Sequence, residues 1–365
     1  MKKKQAVIVC SMDAFANAVK PKRLSDYLKG RGYHVEIFAT NYLSRWGESG
    51  PWVKLPGVHP LQLALFALEF VHFFAKKFHW TQLRTLILSA VTLPMMKLRG
   101  KLITRRLGQK TYDLMICENG MDEAMIMNKR IAKIQILDPH TPFGEELYYG
   151  GALTRRGYRC MVAFEKKIYE RVDYLSFQWH TFNDYVKAHK YHGKNMINLG
   201  YGTLPKKIHA KFASPPRIVF LGLLEGYWIN LPLLRKLCQL YPNLDVYGGP
   251  SDPGGVNYKG YAPTLDVFAE YQFGLVTISD DPIRRHSFSS KHLEYVSYGL
   301  PVLTPDWRSD KILDPASIHY NPDTFLDLIA EYSDQVKWEA KHKAALAVAK
   351  QISWKKAFKP LDKIV

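Results

Sequence analysis

The feature that most restricts the fold of this chain is a series of short apolar segments separated by helix-patterned stretches, an alternation that starts twice. QAVIVC (5–10), HVEIFAT (34–40), YDLMIC (112–117), KIQIL (133–137) and DYLSFQ (173–178) read as strands in the first half. Near-continuous apolar runs of this length suit strands buried on both faces of a sheet. PKRLSDYLKGRGY (21–33) reads as a helix, with Leu24, Tyr27 and Leu28 on one face and Gly30 or Gly32 as its stop. The cadence resumes after PKKIHAKFASPP (205–216), a basic, Pro-containing linker, with strands PRIVFLG (216–222), LDVYGG (244–249) and FGLVTIS (273–279). INLPLLRKLCQLYP (229–242) is expected to be a helix burying Leu233, Leu234, Leu237 and Leu240, and the chain beyond Thr324 is mostly helical and charged. Strands alternating with helices imply parallel βαβ units. Two such series in 365 residues imply two similar α/β domains rather than one large sheet.

Charge distribution adds a second constraint. The formal net charge is +18, from 51 Lys+Arg against 33 Asp+Glu, but it is lopsided. Residues 1–110 hold 19 basic and 5 acidic residues, and no acidic residue lies between Glu69 and Asp113. Such a bias points to an anionic partner, either nucleic acid or a phospholipid surface. Residues 51–106 interrupt the strand–helix rhythm with PLQLALFALEFVHFFAKKFHW (60–80) and TQLRTLILSAVTLPMMKLRGKLITRR (81–106). Gln62, Glu69 and His72 break the first segment and Arg84 and Pro94 the second, so neither suits a transmembrane helix. Two readings stand: an interfacial element in contact with a membrane, or a helix pair buried against the N-terminal sheet. The four cysteines, Cys10, Cys117, Cys160 and Cys238, are widely spaced, which argues against a disulfide framework or a cysteine zinc site. The apolar run after the basic N-terminal tip is too short for a secretory signal, since Asp13 follows soon after it.

The segment richest in chemistry is SSKHLEYVSYGLPVL (289–303). Ser289 and Ser290 are placed to cap a helix that presents Lys291 and Glu294 on one face, with Gly299 as its end. A helix N-terminus with hydroxyls and a lysine suits a diphosphate, and a glutamate one turn later suits two ribose hydroxyls. An ordinary capped surface helix accounts for the same residues.

This segment resembles the donor-site signature of GT-B glycosyltransferases, roughly (P/S)-x-K-x-x-E-Y-x-x-x-G-x-P-V-(V/L). FLGLLEGYWINLPLLRKLCQLYPNLDVYGGP (220–250) and YKGYAPTLDVFAEYQFGLVTIS (258–279) resemble the units that precede it. RLSDYLKGRGYHVEIFAT (23–40) resembles the start of the family's first lobe, and ISWKKAF (352–358) its closing helix. The resemblance covers most of the chain except 50–110. It implies an α/β GT-B fold of two Rossmann-like lobes facing across a cleft, with a C-terminal helix crossing back to the N-terminal lobe. The expected divisions are an acceptor lobe over 1–205 with a membrane-facing insert at about 50–110, a donor lobe over 206–345, and the crossing helix over 346–365.

Residue by residue, the resemblance implies that Lys291 meets the donor phosphates and Glu294 the ribose, with Ser289 and Ser290 beside them. Gly222 and Leu223 would let phosphate or sugar approach the backbone, and Tyr261 with Gly260 would lie beside the base. Core packing is the other reading of Tyr261. Many retaining members carry a second glutamate where this chain has His286. With Arg284 and Arg285, His286 would meet phosphate or a carboxylated sugar, or be part of a solvated charge run. The lysine-before-helix arrangement also resembles the inverting glucuronosyltransferase of xanthan assembly. An inverting reaction needs a base in the first lobe. Asp138, Glu118 and Asp122 are its candidates, and His140 matches a residue that contacts the sugar. Turn chemistry accounts equally for Asp138-Pro139.

The resulting expectation is a hexosyl- or glucuronosyltransferase with a nucleotide diphosphate-sugar donor, UDP foremost, and a lipid-linked acceptor. It would work in bacterial polysaccharide or glycolipid synthesis, peripherally on the anionic inner face of the cell membrane. It needs neither metal nor cofactor beyond the donor, and no nucleic acid. The alternatives are a nucleic-acid-binding protein, or a GT-B-fold nucleotide-sugar epimerase or inactive binding module.

Overall fold

The computed structural model describes residues 3–11, 19–40, 60–77, 80–118, 120, 122–177, 179–191, 193, 195–224, 226–249, 251–262, 264–287 and 289–365. The N-terminal part of the expected insert, 50–59, and Phe78 and His79 lie outside them, as does Asp13. The chain divides into two compact units, Met1–Gly200 with Phe358–Val365, and Tyr201–Ala357.

The first unit is built on a parallel sheet of six described strands: β1 (Gln5–Ser11), β2 (His34–Thr40), β3 (Tyr112–Cys117), β4 (Ala132–Leu137), β5 (Tyr174–Ser176) and β6 (Met196–Ile197). Their order is β2-β1-β3-β4-β5-β6, and Ala6 stands opposite both Val35 and Leu114. Ala6 to Cys10 and Leu114 to Cys117 are all essentially inaccessible. That is why these strands are apolar throughout rather than alternating: helices cover both faces of the sheet. Of DYLSFQ, Tyr174–Ser176 form β5, and Gln178 lies outside the described residues.

Helix α1 (Val19–Lys29) makes the β1–β2 crossover and buries Leu24 and Leu28, while Tyr27 turns outward. Tyr27 instead meets the C-terminal segment, its ring 5.6 Å from that of Phe358, and Arg31 pairs with Asp362 at 2.7 Å. The last eight residues thus return to the first unit, where the C-terminal crossing was expected.

The 60–106 segment forms a helical hairpin, α2 (Pro60–Lys77) and α3 (Thr81–Leu107). The C-terminal half of α3 is core: Met95, Met96, Leu102, Ile103 and Leu107 are buried. Gly100 lets α3 touch the turn Glu123–Met127, because a Cβ there would stand 2.6 Å from the Ala124 carbonyl carbon. The buried-pair reading holds for this half, whereas much of α2 and the start of α3 stay exposed. No helix among the described residues is long and apolar enough to cross a membrane. After β4 come α4 (Phe143–Tyr149) and α5 (Arg155–Tyr169), and α6 (Phe182–Ala188) follows β5.

The second unit repeats the plan with β7 (Ile218–Leu221), β8 (Leu244–Tyr247), β9 (Asn257–Tyr258), β10 (Phe273–Leu275), β11 (Val302–Pro305) and β12 (Ser317–Tyr320). The order is β12-β11-β10-β7-β8-β9, again parallel. Its helices are α7 (Leu231–Leu240), α8 (Ser290–Ser297), α9 (Phe325–Glu331), α10 (Gln335–Gln351) and α11 (Trp354–Phe358), the last running into the first unit. Helix α7 buries Leu234 and Leu237 only. Leu233 is half-covered and Leu240, in the last turn, is exposed, which corrects the four-leucine face.

Candidate functional site

In each unit the first strand has neighbours reached by crossovers in opposite directions. The C-terminal ends of β1 and β3, and of β7 and β10, are therefore topological switch points, where an open α/β sheet leaves a crevice for ligands.

At the switch point of the second unit, β7 and β10 pair only through Ile218–Phe273 and Val219–Gly274 and then part. The Tyr295 hydroxyl stands between the strand ends, accepting the Leu221 N–H at 2.9 Å and donating to the Leu275 carbonyl at 3.3 Å. Gly274 makes room for that ring, since a Cβ there would lie 2.3 Å from it. This buried tyrosine fixes α8 at the mouth of the crevice. It lies inside the signature segment, but residue type and spacing gave no hint of its role.

Lys291 and Glu294 lie on the first turns of α8 as an ion pair, Nζ to Oε2 3.1 Å, each about one-third exposed. Ser289 occupies the N-cap position, yet its side chain makes no capping bond, and Ser290 is the first helical residue. The expected hydroxyl caps are thus absent, which leaves Ser289 and Ser290 beside N–H groups that a helix start cannot satisfy internally. Behind them Arg308, buried, donates to the Ser287 carbonyl at 2.8 Å and anchors the loop that enters α8. Burial pushes its guanidinium down to about 10, which keeps it charged at neutral pH.

The loop from Asp280 to Ser287 is a tight turn organised by Asp281, which accepts the N–H groups of Ile283 and Arg284, each at 2.9 Å. Arg285 pairs with Asp280 at 2.6 Å, and His286 is half-buried within the turn. Arg284 reaches across to the loop after β7, donating to the Tyr227 hydroxyl at 2.9 Å. The three basic residues therefore have separate surroundings rather than forming one solvated run.

Gly222 directly follows β7 and donates its N–H to the Tyr247 carbonyl at 3.1 Å, and Leu223 beside it is 62% exposed. Next to it Gly248 has a φ of +112°, and a Cβ there would lie 2.1 Å from the Gly222 oxygen, so only glycine fits. The Gly248 N–H donates to the Gly260 carbonyl at 2.9 Å, which brings the 258–262 loop to the same end of the sheet. Tyr261 is 79% exposed there, which excludes core packing.

In the first unit, Glu118 and Asp138 directly follow β3 and β4 and extend the ladders, their N–H groups donating to Val9 and Cys117 at 2.9 and 2.8 Å. Lys20, from the first turn of α1, donates to Asp138 Oδ2 at 2.5 Å and to the Leu199 carbonyl at 2.8 Å. All three side chains are excluded from solvent. One cation thus serves two buried carboxyls. Burial, reinforced by the Asp138 charge and opposed by Lys20, pushes Glu118 up to about 8, so it holds its proton at neutral pH. Burial also raises Asp138, against Lys20 and Ser176.

Asp122 is sealed as well: it accepts from Arg99 Nε at 2.5 Å, and Arg99 Nη1 donates to Glu69 of α2 at 3.0 Å. His140 is exposed. Crowding by the surrounding protein and the Lys20 charge lower its imidazole below the ordinary range, so the ring is neutral at neutral pH. The loop carrying it is held by Glu165 of α5, which accepts the Phe143 and Gly144 N–H groups at 2.6 and 3.0 Å. Of the four first-lobe candidates, His140 alone is exposed, whereas Asp138, Glu118 and Asp122 form a buried layer. Lys20, paired with Asp138, and Glu165, which holds the His140 loop, were not among the expected residues. Among the described residues, no His, Cys, Asp and Glu group is placed to hold a metal ion.

No protein-family model matches the chain, and no curated protein does. Solved structures do match over the whole length. Sucrose-phosphate synthase from Thermosynechococcus elongatus superposes with a TM-score of 0.67 at 13% identity, covering 99% of this chain and 98% of its own. Anabaena HepE, in complex with UDP and glucose, gives 0.59 at 11% identity over 100% and 99%. The lipopolysaccharide outer core galactosyltransferase WaaB gives 0.57 at 12% identity over 99% and 100%. With two parallel α/β sheets of this order and full-length agreement with such enzymes, the fold of this chain is the GT-B fold.

Proposed function

We propose that the chain is a glycosyltransferase that moves a sugar from a nucleoside diphosphate donor, bound by the second unit, to an acceptor carried on a membrane lipid, bound by the first. The observation that carries this reading is the second unit's switch point. There an eight-residue helix starts at the end of the sheet with uncapped N–H groups, Lys291 and Glu294 on its first turns, and Arg284 and Arg308 in the loops around it. A diphosphate is the anion that such a set suits, through the helix N-terminus and its cations. In this reading Glu294 accepts hydrogen bonds from vicinal ribose hydroxyls once Lys291 turns to phosphate. Gly222 and Leu223 offer backbone to the diphosphate or sugar, and the exposed Tyr261 offers a ring to the base. Uracil is the base of choice, in line with the UDP bound by the similar HepE structure.

In the transfer, an acceptor hydroxyl oxygen bonds to the anomeric carbon as the bond from that carbon to the diphosphate breaks. Lys291 and the α8 N-terminus stabilise the charge gathering on the departing diphosphate. The hydroxyl proton must go to a base, and His140, neutral and accessible, takes that place in preference to Asp138. Asp138, Lys20 and Glu118 then act behind it as a fixed electrostatic layer.

The test is calorimetric titration of the full chain with UDP, ADP and GDP, alongside thermal shift. UDP is expected to bind and raise the melting temperature, and Lys291→Ala to weaken binding by at least about tenfold with the fold intact. Binding of none of the three, or equal UDP affinity in Lys291→Ala, would sink the assignment. Tight, salt-sensitive binding of DNA or RNA instead would favour the nucleic-acid reading.

A further inference from the structure

The α2–α3 hairpin carries an apolar face that stays exposed among the described residues. On α2, Phe66, Phe70 and Phe74 are 38%, 48% and 46% exposed and run as a stripe, with ring centroids 6.5 Å apart between Phe66 and Phe70 and 4.4 Å between Phe70 and Phe74. Trp80, at the turn, is 76% exposed, and Leu83 and Leu86 continue the exposure on α3. The opposite side of the hairpin is firmly packed: Leu65, Leu68 and Leu93 join the core around Met95, Met96 and Met161. Aromatic and aliphatic side chains on one side of a well-anchored hairpin are not leftover core, since a folded chain seldom leaves a patch of this kind to water.

Positive charge stands beside that face. Thr85 donates to the Gly151 carbonyl at 2.8 Å, and Ser89 Oγ accepts the Thr154 N–H at 2.7 Å. These bonds dock the start of α5 against α3 within one turn of Leu86. There Arg155, Arg156 and Arg159 are exposed and form no ion pair among the described residues. The hairpin is also tied to the buried layer of the site, through the Glu69–Arg99–Asp122 chain that ends four residues from Glu118.

We propose that this face seats the first unit on an anionic lipid bilayer, with Phe66, Phe70, Phe74 and Trp80 entering the headgroup region and Arg155, Arg156 and Arg159 meeting lipid phosphates. The proposal rests on the reading of a lipid-carried acceptor and names the surface that brings the site to it. Charge selects the occupant. A second copy of the chain would press one arginine cluster towards another, whereas an anionic bilayer neutralises it and takes up the rings. Nucleic acid would meet the arginines but leave the phenylalanines in water. The face is interfacial rather than spanning, in keeping with helices too polar to cross.

The experiment is flotation of the full chain with phosphatidylcholine vesicles, with and without phosphatidylglycerol. The wild type is expected to float with the anionic vesicles, and at least about tenfold less with pure phosphatidylcholine or in high salt. Phe70→Asp with Phe74→Asp, at half-exposed positions that burial does not require, should cut flotation at least about tenfold. A second variant, Arg155→Glu with Arg156→Glu and Arg159→Glu, should do so on anionic vesicles only. Both should keep the wild-type melting temperature and UDP affinity. Flotation of either variant at the wild-type level overturns the proposal. So does a wild-type dimer, seen by sedimentation, that the Phe70→Asp/Phe74→Asp pair dissociates. UDP binding reads the second unit separately, so its absence in the wild type refutes the activity while leaving the flotation result to stand or fall alone.

Discussion

Replacing Glu118 by glutamine removes a titratable group from the buried layer while keeping its shape and its neutral character. In the folded chain this carboxyl keeps its proton up to about pH 8, against 4.5 for the unsuppressed group. Between those values the folded state binds a proton that the unfolded state has lost. The contribution of Glu118 to stability is therefore full below pH 4.5 and declines as pH rises, levelling off only above about 8. The slope is about 1.4 kcal/mol per pH unit. From about pH 5.5 to 7.5 the wild type should lose up to about 2–3 kcal/mol through this group, and Glu118→Gln none. Asp138 shares Lys20 with Glu118, so the two titrate together and the difference is expected between about 1 and 3 kcal/mol. Hydrogen exchange of the β1 and β3 amides reads the first unit separately from the second. The ratio of variant to wild-type protection should rise about 5- to 150-fold over that pH interval. A ratio that stays constant, or falls as pH rises, would show that Glu118 is already ionised and that two negative carboxylates face Lys20.

Other perturbations follow from the same geometry. Arg99→Met takes the cation away from the buried Glu69 and Asp122 and should destabilise the first unit by about 3–5 kcal/mol, read as lost protection along α3. Tyr295→Phe leaves the Leu221 N–H without its partner and should cost the second unit about 1–3 kcal/mol, with weaker UDP binding as α8 loses its anchor. Gly248→Ala combines a left-handed backbone with a collision against the Gly222 oxygen, and should cost more than about 2 kcal/mol or prevent soluble expression.

Much of the fold was legible because strands covered on both faces must be apolar along their length, and YDLMIC forms β3 over its whole extent. The lengths of short strands were less legible: DYLSFQ yields Tyr174–Ser176 beside the two-residue edge strand β6, and FGLVTIS yields Phe273–Leu275 in the middle of its sheet, where β10 parts from β7 at the crevice. The signature segment was legible as a helix with Lys291 and Glu294 on one face, because that is a matter of spacing. What escaped is whatever depends on partners far along the chain. Lys20 lies one residue ahead of the segment read as a helix and drew no expectation, and its pairing with Asp138 joins residues 118 positions apart. Asp138 looked like a base because a carboxylate after a strand often faces the ligand, and only the fold reveals the lysine sealed against it. The hairpin was ambiguous because it is both things at once, core along the C-terminal half of α3 and apolar surface along α2.

The central claim is transfer of a sugar from a nucleoside diphosphate to a lipid. It is tested most directly by incubating the chain with radiolabelled UDP-sugars and bacterial membrane lipids, then counting label in the organic phase. The account predicts that label from at least one donor enters that phase, and that Lys291→Ala abolishes the transfer while retaining the fold. Label that stays in the aqueous phase for every UDP-sugar, from a chain that binds UDP, would contradict it.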